Sequence, residues 1–258
     1  MKRAALVSIA FVAAVAALAA QTGNGHPDLS GTWLFSIDLP PVALKKQING
    51  QTTIKGIDAS GRRPATEKVA GALPFTDAPV YKPELRAKVK DLFDHESKTD
   101  PVFYCDRPGI PRVGSPRRII QLPNEFVFLY EDISGDPYRI IPVGGSHKKD
   151  GNPSYYGDSV ARWEGNTLVV DAVNFVDSTW FGEDDYFHSD AMHVTERFWR
   201  NGPNLVYQVT VDDPKVLMSP WTMAPRVVKP SNELLEESPR CVEADSKLLV
   251  NDDHHGQR

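Results

Sequence analysis

Two carboxylates stand at positions where the alternation of side chains calls for apolar residues. In the run 167–175, Val169, Asp171, Val173 and Phe175 share one face of a two-residue period. In 193–199, Val194, Glu196 and Phe198 share a face, opposite His193, Thr195 and Arg197. If the Val-rich faces turn inward, Asp171 and Glu196 lie among apolar neighbours. A carboxylate so placed finds a partner or becomes neutral with a raised pKa. Two of them in one cavity divide acid and base work, with His193 and Asp158 near the mouth. Asp171, Glu196, His193 and Asp158 are therefore the candidate catalytic residues. The competing reading is structural: Asp171 sits at a strand rim, and Glu196 pairs with Arg197 or another surface Arg.

The candidate ligand-lining residues are Trp33, Tyr130, Arg139, His147, Trp163, Phe198 and Tyr207, an aromatic set with two polar cations or near-cations. Core packing is the ordinary alternative for the aromatics. His188, Asp190 and His193 offer metal-binding side chains, yet the five-residue His spacing matches no recurring zinc pattern, so neither a metal nor a cofactor is expected. Gly157-Asp-Ser159 lacks the flanks of a nucleophile elbow. Gly144-Gly-Ser-His147 lacks the setting of a phosphate cradle. Asp212-Asp-Pro214 reads as a turn with weak calcium-binding character.

The elements that must position these groups are mostly strands. Trp33, Phe35 and Ile37 alternate after a turn at 26–30. Residues 40–80 are polar and Pro/Gly-punctuated, an irregular excursion with room for one short strand. Pro83 opens a helix to about residue 97, with Leu85, Val89, Leu92 and Phe93 on one stripe. Strands follow at 126–130 and 139–141. Runs 159–163 and 167–175 flank a turn at Glu164-Gly-Asn166, and runs 193–199 and 205–211 flank one at Asn201-Gly-Pro-Asn204. Strands recurring without intervening helices predict a mainly β fold, an antiparallel barrel or sandwich with one or two short helices. One domain spans 21–241, and 242–258 form a flexible polar tail.

With an uncleaved membrane anchor as the alternative, Lys2 and Arg3, an apolar stretch from Ala4 to Leu18 and a small-residue site at Ala17-Leu-Ala19 read as a cleaved signal peptide over 1–20. No stable membrane anchor then remains, and the protein is periplasmic or secreted. Cleavage moves the net charge from -5 to -7, because only Lys2 and Arg3 are lost. That acidity, with no long basic run, argues against a nucleic-acid partner. Export makes a disulfide the expected state of Cys105 and Cys241, the alternatives being two buried thiols or a reactive Cys.

Several segments resemble a family of uncharacterised secreted bacterial proteins. They include Pro27-Asp-Leu-Ser-Gly-Thr-Trp33, Cys105-Asp-Arg-Pro-Gly-Ile-Pro-Arg112, Arg162-Trp-Glu-Gly-Asn-Thr-Leu-Val-Val-Asp171 and His193-Val-Thr-Glu-Arg-Phe198. The resemblance covers most of the chain after the leader and implies export, but no activity and no site residues. This chain departs from the pattern at Gly165-Asn166, where Gly-Asp is usual, and after Cys241, where Val-Glu-Ala-Asp replaces a His-Glu-Gly-Asn-like stretch. Ser30-Gly-Thr-Trp33 is also similar to the Gly-x-Trp opening of lipocalins. The leading expectation is an exported, lipocalin-like protein holding a small, mainly apolar molecule in an internal cavity. An acid–base enzyme (hydrolase, lyase or isomerase) in that cavity is the second, and a structural envelope protein the third.

Overall fold

Alternating burial sorts the strands into two antiparallel sheets. A computed structural model of the protein describes residues 25–34, 45–48, 51–54, 69–76, 78–132, 135–182, 186–238 and 241. The proposed leader, the C-terminal tail and the Phe35 and Ile37 positions lie outside the described residues. The strands, in chain order, are β1 Gly31–Thr32, β2 Lys45–Ile48, β3 Gln51–Ile54, β4 Arg118–Gln121, β5 Glu125–Leu129 and β6 Tyr138–Pro142. They continue as β7 Asp158–Glu164, β8 Thr167–Val173, β9 His193–Asn201, β10 Asn204–Asp212, β11 Trp221–Thr222 and β12 Arg226–Val228. The first sheet has the order β1-β4-β5-β6; the second runs β11-β10-β9-β8-β7, with β12 also on β10. β2 and β3 form a separate hairpin, where the sequence suggested one strand.

The two sheets pack face to face as a sandwich. Ile119, Phe126, Phe128 and Ile141 of the first sheet are buried against Leu168, Val170, Val194, Phe198 and Tyr207 of the second. Phe128 meets Phe198 edge-on at 5.1 Å between ring centroids, and Phe198 stacks on Tyr207 at 4.9 Å. Filling the inner faces with large rings supplies the apolar burial that drives the fold.

The single closed barrel of lipocalin type is not formed. Such a barrel needs antiparallel neighbours all the way round. Here the connection from β6 to β7 spans residues 143–157, and its one bridge to β7, Val143 to Ala161, is parallel. At the other side a lone antiparallel bridge joins Trp33 to Pro230. These stitches hold the sandwich edges without ladders.

Pro83–Leu85 is a short 3-10 turn leading into helix α1, Arg86–Asp94. Leu85, Val89 and Leu92 pack on the core, while Phe93 stays exposed. A further turn of helix, α2, covers Glu96–Thr99. Cys105 and Cys241 form the expected disulfide, with Cα atoms 5.7 Å apart. It ties the segment before β4 to the end of the described chain. Among the described residues no helix is long and apolar enough to cross a membrane.

His188 lies against this scaffold in one protonation state. Its Nδ1–H donates to the Ser189 carbonyl at 2.9 Å, because a carbonyl can only accept. Nε2 then accepts from the Thr179 hydroxyl at 2.7 Å. Burial pushes the His188 pKa below its ordinary 6.5, opposed by the Ser189 hydrogen bond and by Asp213 and Asp177. A base with a depressed folded pKa favours the unfolded state once the unfolded imidazole takes a proton. Stability therefore falls as pH drops below about 6.5, by at most about 1.4 kcal/mol per pH unit from this one group. Melting temperature against pH is expected to slope less in His188→Gln than in the parent between pH 7 and 5. Parallel curves would show that His188 contributes nothing to acid sensitivity.

Candidate functional site

Two polar clusters emerge, and a sheet lies between them. Register decides which residue joins which. β8 pairs β7 through Val160↔Asp171, and β9 through Asp171↔Thr195 and Val170↔Glu196. Asp171 and Glu196 therefore point to opposite faces of the second sheet, and the expected pair of carboxylates in one cavity is not formed. The reason is parity: Val residues occupy both faces of β8, so a Val-rich face need not be the inner one.

The inner cluster crosses the sandwich. Arg139 Nη1 donates to Glu196 Oε2 at 2.6 Å and to the Tyr130 hydroxyl at 3.0 Å, and Nη2 donates to Ser159 Oγ at 2.7 Å. Tyr207 donates to Glu196 Oε1 at 3.2 Å. Glu196 is fully buried, and its partner is Arg139 of the other sheet rather than Arg197. Arg197 pairs with Glu164 on the outer face instead. Burial alone would lower the Arg139 pKa, but the Glu196 carboxylate and the Tyr130 hydroxyl together outweigh it and hold the guanidinium firmly charged. Burial raises the Tyr130 and Tyr207 hydroxyls well above the ordinary tyrosine range. The arrangement is a counter-ion network between the two sheets, in which Arg139 stays charged and both tyrosine hydroxyls keep their protons at neutral pH.

The outer cluster sits at the end of the second sheet where β7, β8 and β9 meet. Asp158 opens β7, Asp171 lies on β8, and His193 opens β9, all on the face turned away from the first sheet. The β6–β7 connection brings His147 over them. His193 Nε2 lies 2.6 Å from both oxygens of Asp171. His147 places Nε2 3.3 Å from Asp171 Oδ2 and Nδ1 3.1 Å from Asp158 Oδ2. Asp158 Oδ2 also accepts from the Lys148 backbone N–H at 2.8 Å. The loop is held from below by the Asn174 side-chain amide, which donates to the Gly151 carbonyl at 2.8 Å.

Carboxylate oxygens only accept, which assigns the ring protons. Both His147 contacts are made together only by the doubly protonated ring. His193 needs a proton only on Nε2 to make its contact, and its Nδ1 has no hydrogen-bond partner among the described residues. The His193 side chain is 41% exposed, against 20% for Asp171, so the unpaired nitrogen belongs to the most open member. Part of this outer face is covered elsewhere. The segment 69–76 crosses it, with Trp199 Nε1 donating to the Ala70 carbonyl at 3.0 Å and Gln208 bonding both the N–H and the carbonyl of Leu73.

Gly157 fixes where Asp158 begins. Its φ of +65° is left-handed, and an added Cβ would stand 2.6 Å from the Val173 carbonyl oxygen and 2.7 Å from the Phe175 ring. Gly157→Ala combines left-handed strain with a backbone clash and is expected to cost about 2 kcal/mol or more. Denaturant unfolding reads it; a loss within roughly 0.5 kcal/mol would mean that the strand start relaxes freely.

Of the ligand-lining candidates, only His147 belongs to the outer cluster. Tyr130, Arg139, Phe198 and Tyr207 gather inside the sandwich around Glu196. Trp33 is buried beneath the Arg200 guanidinium, 4.6 Å from its ring, and Trp163 stacks on His26 at 4.5 Å. His188, Asp190 and His193 do not converge: Asp190 pairs with Lys215 at the surface. Among the described residues no three His, Cys, Asp or Glu side chains are grouped to hold a metal ion. Asp213, read as a turn residue, is fully buried and accepts from the Ser189 backbone and hydroxyl and from the Lys215 N–H.

Neither the family models, nor the curated proteins, nor the solved structures contain a match to this chain. The fold and site define a β-sandwich with a carboxylate–imidazole cluster at one sheet end, and the functional reading rests on that geometry.

Proposed function

We propose that the protein is an exported acid–base enzyme, a hydrolase, lyase or isomerase, in which His193 is the general base and Asp171 orients it. The single observation that carries this reading is the Asp171 carboxylate bonded to Nε2 of a partly exposed His193. A carboxylate so placed selects the tautomer with a lone pair on Nδ1 and stabilises the imidazolium once that nitrogen takes a proton. The proton removed from substrate or water is then returned from Nδ1 to the leaving atom or to a neighbouring carbon. His147, held between Asp158 and Asp171, fixes the second side of the Asp171 carboxylate. A small polar or amphipathic molecule suits a site open on the outer face. The sandwich interior offers less support as a ligand site, because Phe126, Phe128, Phe198 and Tyr207 already fill it. Export is favoured by the Cys105–Cys241 bridge, which persists in oxidising compartments.

The test is turnover by the purified protein of p-nitrophenyl esters, aryl sulfates, aryl glycosides and α-hydroxy ketones, each compared with Asp171→Asn. Turnover of one class that the variant loses supports the reading. No turnover across the panel, or equal turnover by both proteins, counts against it.

A further inference from the structure

The outward face of the first sheet is apolar where solvent would favour polar side chains. Strand alternation sends Ile119, Phe126, Phe128 and Ile141 into the core and Ile120, Val127 and Ile140 outward. Those three form one cross-strand row through the pairs Ile120↔Val127 and Val127↔Ile140. The next row is Arg118, Leu129 and Tyr138. Tyr138 is 65% exposed, Ile140 56% and Ile120 37%. An antiparallel sheet with one solvated face ordinarily alternates apolar and polar residues. A contiguous apolar face of this kind marks an interaction surface.

We propose that this face pairs with its copy in a second molecule, giving a two-fold dimer in which the two first sheets stack. The charges at its ends select a second copy as occupant. Arg118 lies in the row on one side of Ile120 and Val127, and Glu125 lies in the row on the other side, opposite Pro142. Neither side chain has an ion-pair partner among the described residues. A two-fold axis crossing the strands at the level of Ile120 and Val127 brings each Arg118 over the Glu125 of the other molecule. The same contact is made twice, as an isologous interface requires. The apolar rows lie between the two ion pairs, the pattern of a dry centre with a charged rim.

Sedimentation equilibrium of the purified protein across the micromolar range tests the dimer. The expected result is a dimer that Ile140→Lys weakens at least tenfold. Arg118→Glu and Glu125→Arg each weaken it, and the double reversal regains the parent affinity because the pair is restored with exchanged signs. Melting temperatures of the four variants check that each is folded. A monomer throughout overturns the proposal, and so does a dimer indifferent to Ile140→Lys. Failure of the double reversal to regain affinity in a folded protein overturns it as well. A photo-crosslinker at Tyr138 that couples to residues 242–258 of the same molecule would assign the face to the chain's own C-terminal segment, and would equally overturn it.

Discussion

Glu196→Gln is expected to lower the stability of the fold by about 3–5 kcal/mol. The substitution keeps the size of the side chain and removes its charge. Arg139 stays ionised, because its guanidinium cannot shed the proton. A buried cation is then left with neutral acceptors only: Tyr130, Ser159 and the new amide. For a chain of this size the loss corresponds to a melting temperature on the order of 10 °C lower. Replacing both charged partners, as Arg139→Met with Glu196→Leu, removes the ions together with their desolvation cost. That double variant is expected to lie within about 2 kcal/mol of the parent. Chemical denaturation of the single and double variants reads both. A single variant as stable as the parent would contradict the assignment of Glu196 as the counter-ion of Arg139.

Asp171→Asn is expected to reduce turnover about 10²–10⁴-fold while the melting temperature stays close to that of the parent. Asn can present either its oxygen or its amide to His193 Nε2. The amide would hold the wrong tautomer, and neither arrangement stabilises the imidazolium. The stability effect is small because Asp171 is partly exposed and its partners keep access to water. The two substitutions thus separate cleanly: the inner carboxylate moves stability, the outer one moves rate. A large stability loss in Asp171→Asn with no change in rate would place it in the scaffold instead.

Much of the architecture is legible in the alternation of apolar residues. β5, β7 and β9 each show an alternation of faces. β8 and β10 are apolar enough on both faces to read as strands without revealing which side is inner. The turns at Gly165-Asn166 and Gly202-Pro203 close the hairpins where Gly marks them. β11 and β12 have two and three residues, too few to show a period. β4 lies between Pro116 and Pro123, in a stretch whose punctuation masks four residues of strand. The inner face of β9 follows from Phe198 and Val194, so Glu196 is placed correctly. Its partner is not, because Arg139 lies 57 residues away in the other sheet and nothing local brings the two together.

The site is only half legible for the same reason. The two-residue turn at 165–166 sets Asp171 opposite Val160, one diagonal step from Asp158, so that juxtaposition follows from the hairpin alone. The β8–β9 pairing that delivers His193 is joined by a long connection, and its register is a tertiary outcome. His147 arrives from a loop between sheets, where no periodicity exists to read. The lipocalin-like expectation fails at that same loop, which carries the chain from one sheet to the other and positions His147 in doing so.

The measurement that bears most directly on Asp171 and His193 as a catalytic unit is a double-mutant cycle in kcat/KM. The variants are Asp171→Asn, His193→Gln and the two combined, assayed on whichever substrate class the protein turns over. If Asp171 acts only through His193, the combined variant is expected to be no slower than His193→Gln alone. Losses that multiply, with all three variants folded, would show that the two residues act independently and would contradict the account.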